Sequence, residues 1–304
     1  MKKIKLLLER KITPHHLPFI WAREKELFKK NEIELELIEP VAPFFGLDRL
    51  VEEKTDMALS WPLFVLDRYF KKKNITSLAR LSISETGFFY RQTDDLQDIS
   101  DINSKHRISY RGGSKQLAKT LLKSAVERAG GATDLKFNLA SDSGSGLEKL
   151  INGEVDLLFP GDLSFDGVLL NIAATDVGCH FFTDANLPGN GELILCCTNK
   201  LVEDFPNVIQ KIISVLHTST NEVKENSTVA RELFLEKYPD HYSKQKLEML
   251  WQSETAALTG DFPQSFNLYT RWGEWIERKM NRDVYLDLDN LIDERFLPFD
   301  LLEF

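Results

Sequence analysis

The chain has too few cysteines, too little positive charge and too short hydrophobic runs for several broad classes of protein. Its 304 residues include only Cys179, Cys196 and Cys197, an odd number without metal-like spacing, which favours buried thiols in a reducing compartment over disulfides or a metal site. The net charge of −9 leaves no basic surplus for neutralising phosphates, so nucleic acid is not expected as a partner. No apolar run approaches the roughly 18 residues of a membrane helix, so membrane insertion is not expected either.

No signal peptide is visible at the beginning of the chain. Between the basic start Lys2-Lys3 and the charged residues from Glu9 onward, the apolar core is only Leu6-Leu7-Leu8, far shorter than that of a signal peptide. We therefore expect a cytoplasmic protein, or a periplasmic or lipid-anchored one if a leader has been removed.

Length and composition favour a globular protein with two lobes. A chain of 304 residues exceeds the size at which a single core usually stops growing. A hydrophobic content of 42% and a charged content of 28% are ordinary for a globular protein.

The first forty residues predict a βαβ unit with a ligand site. Residues 4–8 form a short apolar strand, Thr13-Pro14 opens a helix that ends at Lys29-Lys30, and residues 33–37 alternate apolar and acidic side chains as a second strand. In open α/β sheets, ligands bind at the carboxyl ends of the strands. The loop after the first strand carries five candidate ligand-binding residues: Glu9, Arg10, Thr13, His15 and His16.

Three motifs in this stretch carry a family resemblance. Residues 13–18 have the pattern Thr-Pro-x-His-x-Pro, residues 22–28 have the pattern Ala-x-x-Lys-x-x-Phe, and Glu39-Pro40 closes an acidic strand. Together they resemble the opening of the fungal thiamine-pyrimidine synthases. They also resemble the bacterial substrate-binding proteins that deliver thiamine pyrimidine precursors, sulfonates or nitrate to ABC transporters. The resemblance implies an α/β, two-lobed type II periplasmic-binding-protein-like fold, with mixed sheets flanked by helices and the ligand between the lobes.

The rest of the chain fits a discontinuous two-lobe organisation. Crossing segments are predicted near residues 82–92 and 188–198. Residues 1–92 and 188–304 would then form lobe I, with a helical C-terminal part, and residues 93–187 would form an inserted lobe II. The inserted lobe begins its own βαβ unit with a strand at 107–110 and a helix at 115–128.

The turn before that helix is a candidate anion site. Arg111, Gly112, Gly113 and Ser114 join strand to helix, and glycines there let backbone N–H groups and the helix start face a ligand. The alternative is an ordinary turn in which Ser114 caps the helix. The resemblance implies that this loop receives a phosphate, a sulfonate or an equivalent acceptor. The spacing of a P-loop is absent.

The other candidates for ligand binding are Ser60, Trp61 and Asp162, and these and the two histidines could instead have structural roles. Ser60 and Asp162 are polar residues at corresponding strand ends of the two lobes. Asp162 matches an acidic residue that the resembling synthases use at the ligand, but it also suits a helix N-cap. Trp61 could stack on a flat ring or belong to the core. His15 or His16 could bond to a heterocycle, while the alternative is a cap or a packed side chain. No metal site is predicted.

The residues that would carry the synthase chemistry are missing. The resemblance places a lysine that binds pyridoxal phosphate at Ser60, and a histidine consumed during the reaction at Phe64. The family's asparagine and tryptophan in the first loop are Glu9 and Arg10 here. Without an amine no Schiff base forms, so pyridoxal phosphate is disfavoured as a cofactor and catalysis is not favoured.

Three functions follow as hypotheses. The leading one is a binding protein that closes on a polar heterocyclic or anionic small molecule, with a thiamine pyrimidine precursor as one candidate and an ABC permease as a candidate partner. The alternative is a thiamine-pyrimidine biosynthetic enzyme of the same fold that uses different catalytic residues. The third is a ligand-sensing regulatory protein, which is less favoured because no helix-turn-helix precedes the first strand.

Overall fold

The computed structural model describes residues 1–72, 74–132, 136–189, 191–282, 286–298 and 301. These residues contain two five-stranded mixed sheets. The first has the strand order β2-β1-β3-β10-β4, with β1 (Lys2–Leu7), β2 (Ile33–Ile38), β3 (Met57–Ser60), β4 (Thr76–Ser84) and β10 (Gly191–Cys197). The second has the order β7-β6-β8-β5-β9, with β5 (Thr86–Arg91), β6 (Arg107–Tyr110), β7 (Asn138–Ser141), β8 (Leu157–Asp162) and β9 (Val177–Phe181).

Helices flank both sheets and make up most of the chain after β10. They are α1 (Leu17–Glu24), α2 (Leu27–Lys30), α3 (Leu47–Val51), α4 (Pro62–Tyr69), α5 (Lys115–Arg128), α6 (Gly146–Ile151), α7 (Val168–Ile172), α8 (Asn199–Asp204), α9 (Pro206–Glu225), α10 (Ser227–Lys237), α11 (Lys244–Ala257), α12 (Phe266–Met280) and α13 (Leu288–Leu291). Short 3-10 turns lie at Pro14–His16, Ile99–Asp101 and Glu294–Phe296, and a π-helical turn at Leu163–Gly167. None of the described helices is both long and apolar enough to cross a bilayer.

The predicted βαβ opening is present, with its helix divided. Strands β1 and β2 pair in parallel with Ile4 opposite Leu35, and the buried side chains of β1 enter the main core. The single helix expected between them is a 3-10 turn followed by α1 and α2. The break lies at Glu26, whose φ of 55° is left-handed and interrupts the helical hydrogen bonding.

The chain passes between the sheets twice, and one strand departs from the predicted division. β4 ends in the first sheet at Ser84 and β5 begins in the second at Thr86. Residues 86–91 were expected in lobe I, but they pair with β8 and β9 of the second sheet. The return passage runs from β9 to β10, and residue 190 of the predicted crossing lies outside the described residues. The division into lobes itself stays a prediction.

Candidate functional site

Arg10 joins the two sheets at the carboxyl ends of their strands. It lies three residues after β1, and its guanidinium bonds to Asp162, the last residue of β8. Its Nε donates to Glu9 Oε1 at 3.0 Å, and its Nη1 lies 3.8 Å from Glu254 Oε1 of α11. Since the Arg10 side chain is only 5% exposed, all of these charges interact in a largely dry environment.

Glu9 is held by a histidine whose tautomer is set by the backbone. The Thr13 N–H donates to His16 Nδ1 at 3.1 Å, so Nδ1 is an acceptor and the Nε2–H donates to Glu9 Oε2 at 3.0 Å. Burial favours the neutral form of Glu9, but its interactions with His16 and then with Arg10 outweigh burial and lower the pKa of this carboxyl. Glu9 is therefore a buried carboxylate with fixed partners.

Asp162 has the capping role considered for it, pairs with Arg10 as well, and its contact with a ligand stays a prediction. Its Oδ1 accepts from the backbone N–H of Ser164 at 2.9 Å, which is the capping role, while its other oxygen faces Arg10. Hydroxyl groups complete the shell, since Ser84 Oγ and Ser164 Oγ also donate to Oδ1. Burial raises the pKa of Asp162, but the Arg10 charge and these hydrogen bonds bring it below its ordinary value.

Glu254 and His15 lie at the edge of the same site, and each has one polar atom without a hydrogen-bond partner among the described residues. The backbone N–H of His15 donates to Glu254 Oε2 at 3.3 Å, whereas within the described part of the chain Oε1 has no hydrogen-bond partner. Burial raises the pKa of Glu254 to about 7, although Arg10 acts in the opposite direction. His15 Nε2 lies 3.0 Å from Ser82 Oγ, its Nδ1 has no partner among the described residues, and burial lowers its pKa to about 4.

Arg111 follows β6 and carries a second set of ion pairs. Its Nε donates to Asp142 Oδ2 at 2.9 Å and its Nη1 to Asp166 Oδ2 at 2.6 Å. Asp142 is fixed further by the backbone N–H groups of Gly144 and Gly146, each 2.8 Å from its Oδ1. Asp166 Oδ2 also accepts from the backbone N–H of Asp162 at 2.8 Å, which connects the two arginine centres, while its Oδ1 has no partner in the described structure.

We call these seven residues the buried charge cluster: Glu9, Arg10, Arg111, Asp142, Asp162, Asp166 and Glu254. The cluster sets two guanidinium groups against five carboxyl groups, so both cations are already compensated. Two carboxyl oxygens, on Asp166 and Glu254, remain without hydrogen-bond donors among the residues described. Buried acceptors of this kind normally have a partner, so the cluster is suited to a group that brings N–H donors.

A cleft of about 890 Å³ opens beside the cluster. Arg10 and Arg111 form its polar floor, and Phe165 lies with its ring centroid 4.7 Å from the Arg10 guanidinium carbon. Other parts of the wall are contributed by the loop after β2, by α6 and α7 and by the start of α11, including Pro40, Pro43, Leu147, Ile151, Leu169, Tyr242 and Lys246. Polar and charged side chains also line the cleft, among them Lys11, Glu39, Glu148, Asp240 and His241, so the cleft combines apolar and aromatic parts with many polar groups.

Of the predicted site residues, Arg10 and Arg111 are the two that line this cleft among the described residues. Trp61 is buried, with its ring centroid 4.1 Å from that of Phe44 and 5.8 Å from that of Phe64, on which it stacks. The neighbouring Ser60 is also buried, and its hydroxyl has no hydrogen-bond partner in the described structure. The turn at Gly112 and Gly113 packs on the ring of Phe64. Ser114 caps α5 by accepting from the Leu117 N–H at 3.2 Å. Of the predicted turn, only Arg111 lines the cleft among the described residues, and ligand contacts at the other positions stay a prediction.

Asp142, Asp166 and Glu254 were missed in the sequence. Asp142 directly follows the unpredicted strand β7, and Asp166 lies one helical turn after Asp162. The signal for Glu254 is its place on the apolar stripe of α11, seven residues after Leu247 and three after Trp251, where a buried glutamate needs partners.

Comparisons with known proteins agree with this architecture. The chain is 22% identical to a Haemophilus influenzae protein named for thiamine biosynthesis. The alignment covers 91% of this chain and 87% of the Haemophilus protein. It is 22% identical over 255 residues to 4-amino-5-hydroxymethyl-2-methylpyrimidine phosphate synthase THI5 of Saccharomyces cerevisiae, covering 78% of this chain and 72% of the synthase.

Among solved structures, the alkanesulfonate-binding protein SsuA of Xanthomonas axonopodis pv. citri, bound to MOPS, matches with a TM-score of 0.72 at 10% identity, covering 96% of this chain and 98% of SsuA. This likeness confirms the predicted periplasmic-binding-protein-like fold. The family described as NMT1/THI5 like matches residues 13–230, which is well over half of the sequence. The chain therefore belongs to the NMT1/THI5-like family.

Proposed function

We propose that this chain binds a small amino-substituted heterocycle of the thiamine-pyrimidine class in the cleft beside the buried charge cluster. The observation that carries the proposal is a pair of buried carboxyl oxygens, Asp166 Oδ1 and Glu254 Oε1. Neither has a hydrogen-bond donor in the part of the chain that the structure describes, and both belong to carboxyl groups that face compensated arginines. An aminopyrimidine offers N–H donors at its exocyclic amine and a flat ring for an aromatic wall.

Charge compensation argues against an anionic ligand bound directly to Arg10 or Arg111, whereas Lys11 and Lys246 are further cations in the lining of the cleft. A sulfonate needs an uncommitted cation or several free N–H donors. Arg10 already faces Glu9, Asp162 and Glu254, and Arg111 faces Asp142 and Asp166. An added anion would have to displace one of these buried carboxylates, which is costly in a dry environment.

Family membership supports the same ligand class. Two of the relatives are named for thiamine biosynthesis or for pyrimidine phosphate synthesis. The fold is shared with a binding protein for sulfonates, so the fold alone does not choose the ligand, and the choice depends on the residues of the site.

Calorimetric titration tests the proposal directly. We expect wild-type protein to bind 4-amino-5-hydroxymethyl-2-methylpyrimidine and not MOPS under the same conditions. Phe165→Ala removes the aromatic wall and should weaken aminopyrimidine binding about tenfold. Phe266→Ala, which truncates a phenylalanine that is 41% exposed at the start of α12, is the matched control. Preferential binding of MOPS, or equal affinity in the Phe165 and Phe266 variants, would contradict the assignment.

An ABC permease as recipient of the ligand is a further part of the proposal, supported by the resemblance to transport-associated binding proteins. Uptake of labelled aminopyrimidine into vesicles that carry the permease should then require this chain. Uptake that is unchanged when the chain is omitted would remove the permease from the proposal and leave ligand binding intact.

A further inference from the structure

Asp67, on α4, places a buried carboxylate against the start of α5. Its side chain is fully buried, its Oδ2 accepts from the Ser114 backbone N–H at 3.0 Å, and its Oδ1 accepts from Ser114 Oγ at 3.2 Å. Asp67 thus bonds to the turn that the sequence marked as a candidate anion site.

Three cations surround the same carboxylate. Arg68 Nη1 and Lys71 Nζ lie 2.7 Å and 3.2 Å from Oδ2, and Arg282 Nη1 lies 3.3 Å from Oδ1. Arg68 is shared with Asp48, which it contacts at 2.5 Å, so three positive groups meet two carboxylates here. The positive charge around Asp67 therefore exceeds the negative charge even when Asp67 is ionised.

The turn itself has the geometry of an anion-binding loop. Gly112 and Gly113 adopt left-handed φ values of 58° and 61°. Ser114 is the N-cap of α5, a helix of 14 residues, and its backbone N–H donates to Asp67 Oδ2, while the Leu117 N–H donates to Ser114 Oγ. Consecutive backbone donors at a helix start favour a negative group in this position. In this chain the negative group belongs to a side chain of the protein.

We infer that Asp67 is a built-in anion that occupies this turn and excludes a ligand phosphate from it. A pyridoxal phosphate does not fit the residues present. Ser60 supplies no amine, the aromatic rings of Phe44, Trp61 and Phe64 are packed together beside it, and Asp67 holds the place of the phosphate. The exclusion of phosphate at the turn does not depend on the proposed function.

The test removes the carboxylate and offers inorganic phosphate in its place. Thermal unfolding is measured with rising phosphate against chloride at equal ionic strength, for wild-type protein, Asp67→Ala and Asp48→Ala. We expect no phosphate-specific rise in Tm for wild type. Asp67→Ala should lose about 5 °C or more, and phosphate should restore a large part of that loss. Asp48→Ala is the matched control, because Asp48 pairs with the same arginine but is exposed and does not touch the turn.

A second variant and a second measurement keep the test decisive if Asp67→Ala folds poorly. Asp67→Asn keeps the shape of the side chain and removes only its charge, and ³¹P NMR follows phosphate binding without a melting curve. Folded Asp67 variants that take up no phosphate would overturn the inference, as would wild-type protein that binds phosphate as tightly as they do. Because the probe is phosphate, failure of wild type to bind an aminopyrimidine would count against the proposed function and leave this result unaffected.

Discussion

The protonation of Glu254 gives the sharpest prediction from the buried charge cluster. Its pKa rises from 4.5 to about 7 on burial. One pKa unit corresponds to about 1.4 kcal/mol, so the ionised carboxyl lowers the free energy of unfolding by about 3 kcal/mol relative to the protonated one. The stability that comes with protonation is fully present below pH 4.5 and is lost as the pH rises through about 7. Glu254→Gln keeps an uncharged side chain of the same shape and removes this dependence.

Urea unfolding at a series of pH values measures the effect. We subtract the free energy of unfolding of wild type from that of Glu254→Gln at each pH. This difference should increase by about 3 kcal/mol in total as the pH rises from about 5 to about 8. Any effect of the substitution that does not depend on pH adds the same constant at every pH. Glu277→Gln makes the same chemical change at an exposed position of α12 and should show no such slope. A difference between wild type and Glu254→Gln that stays constant over this range would refute the reasoning.

Three other predictions concern burial and backbone conformation. Cys196 and Cys197 are fully buried and the pKa of the Cys196 thiol is raised to about 12, so both should react with a thiol reagent at pH 8 only after unfolding, as followed by absorbance. His15, with a pKa lowered by burial to about 4, should keep a neutral imidazole between pH 5 and pH 8 in ¹⁵N NMR spectra, and a midpoint above 6 would contradict this. Gly112→Ala should lower the free energy of unfolding more than Gly130→Ala does, by about 1 kcal/mol or more. Both glycines have positive φ, but a Cβ at Gly112 would lie 2.7 Å from the Phe64 ring, whereas a Cβ at Gly130 would have nothing within 4 Å. Equal losses in denaturant unfolding would show that the ring moves freely.

Elements with a strong local pattern could be predicted from the sequence. The helix at Lys115–Arg128 has the predicted bounds, because Ser114 caps one end and Gly130 terminates the other. β7 and β9 were missed, and both lie at edges of the second sheet. β7 buries only Leu139, and β9 is half-buried throughout, so neither shows the alternation by which a strand is recognised.

The candidate site was predictable only where a residue follows a recognised strand. Glu9, Arg10, Arg111 and Asp162 satisfy that condition, and the structure brings Arg10 and Asp162 together across 152 positions of sequence. Glu254 comes from a helix packed against the 3-10 turn at Pro14–His16, so its place in the cluster depends on tertiary packing that no local pattern encodes.

The packing also shows what occupies the two positions where the resembling synthases have a lysine and a histidine. Phe64 is stacked on Trp61, contacts Phe44 and supports the backbone of Gly112 and Gly113, so it has a structural role where the resembling family has a reactive histidine. Restoring a lysine at Ser60 and a histidine at Phe64 would leave Asp67 at the turn and would open a gap in the aromatic packing. Under the inferred role of Asp67, a cofactor site in this chain would require changes at the aromatic residues and at Asp67 together.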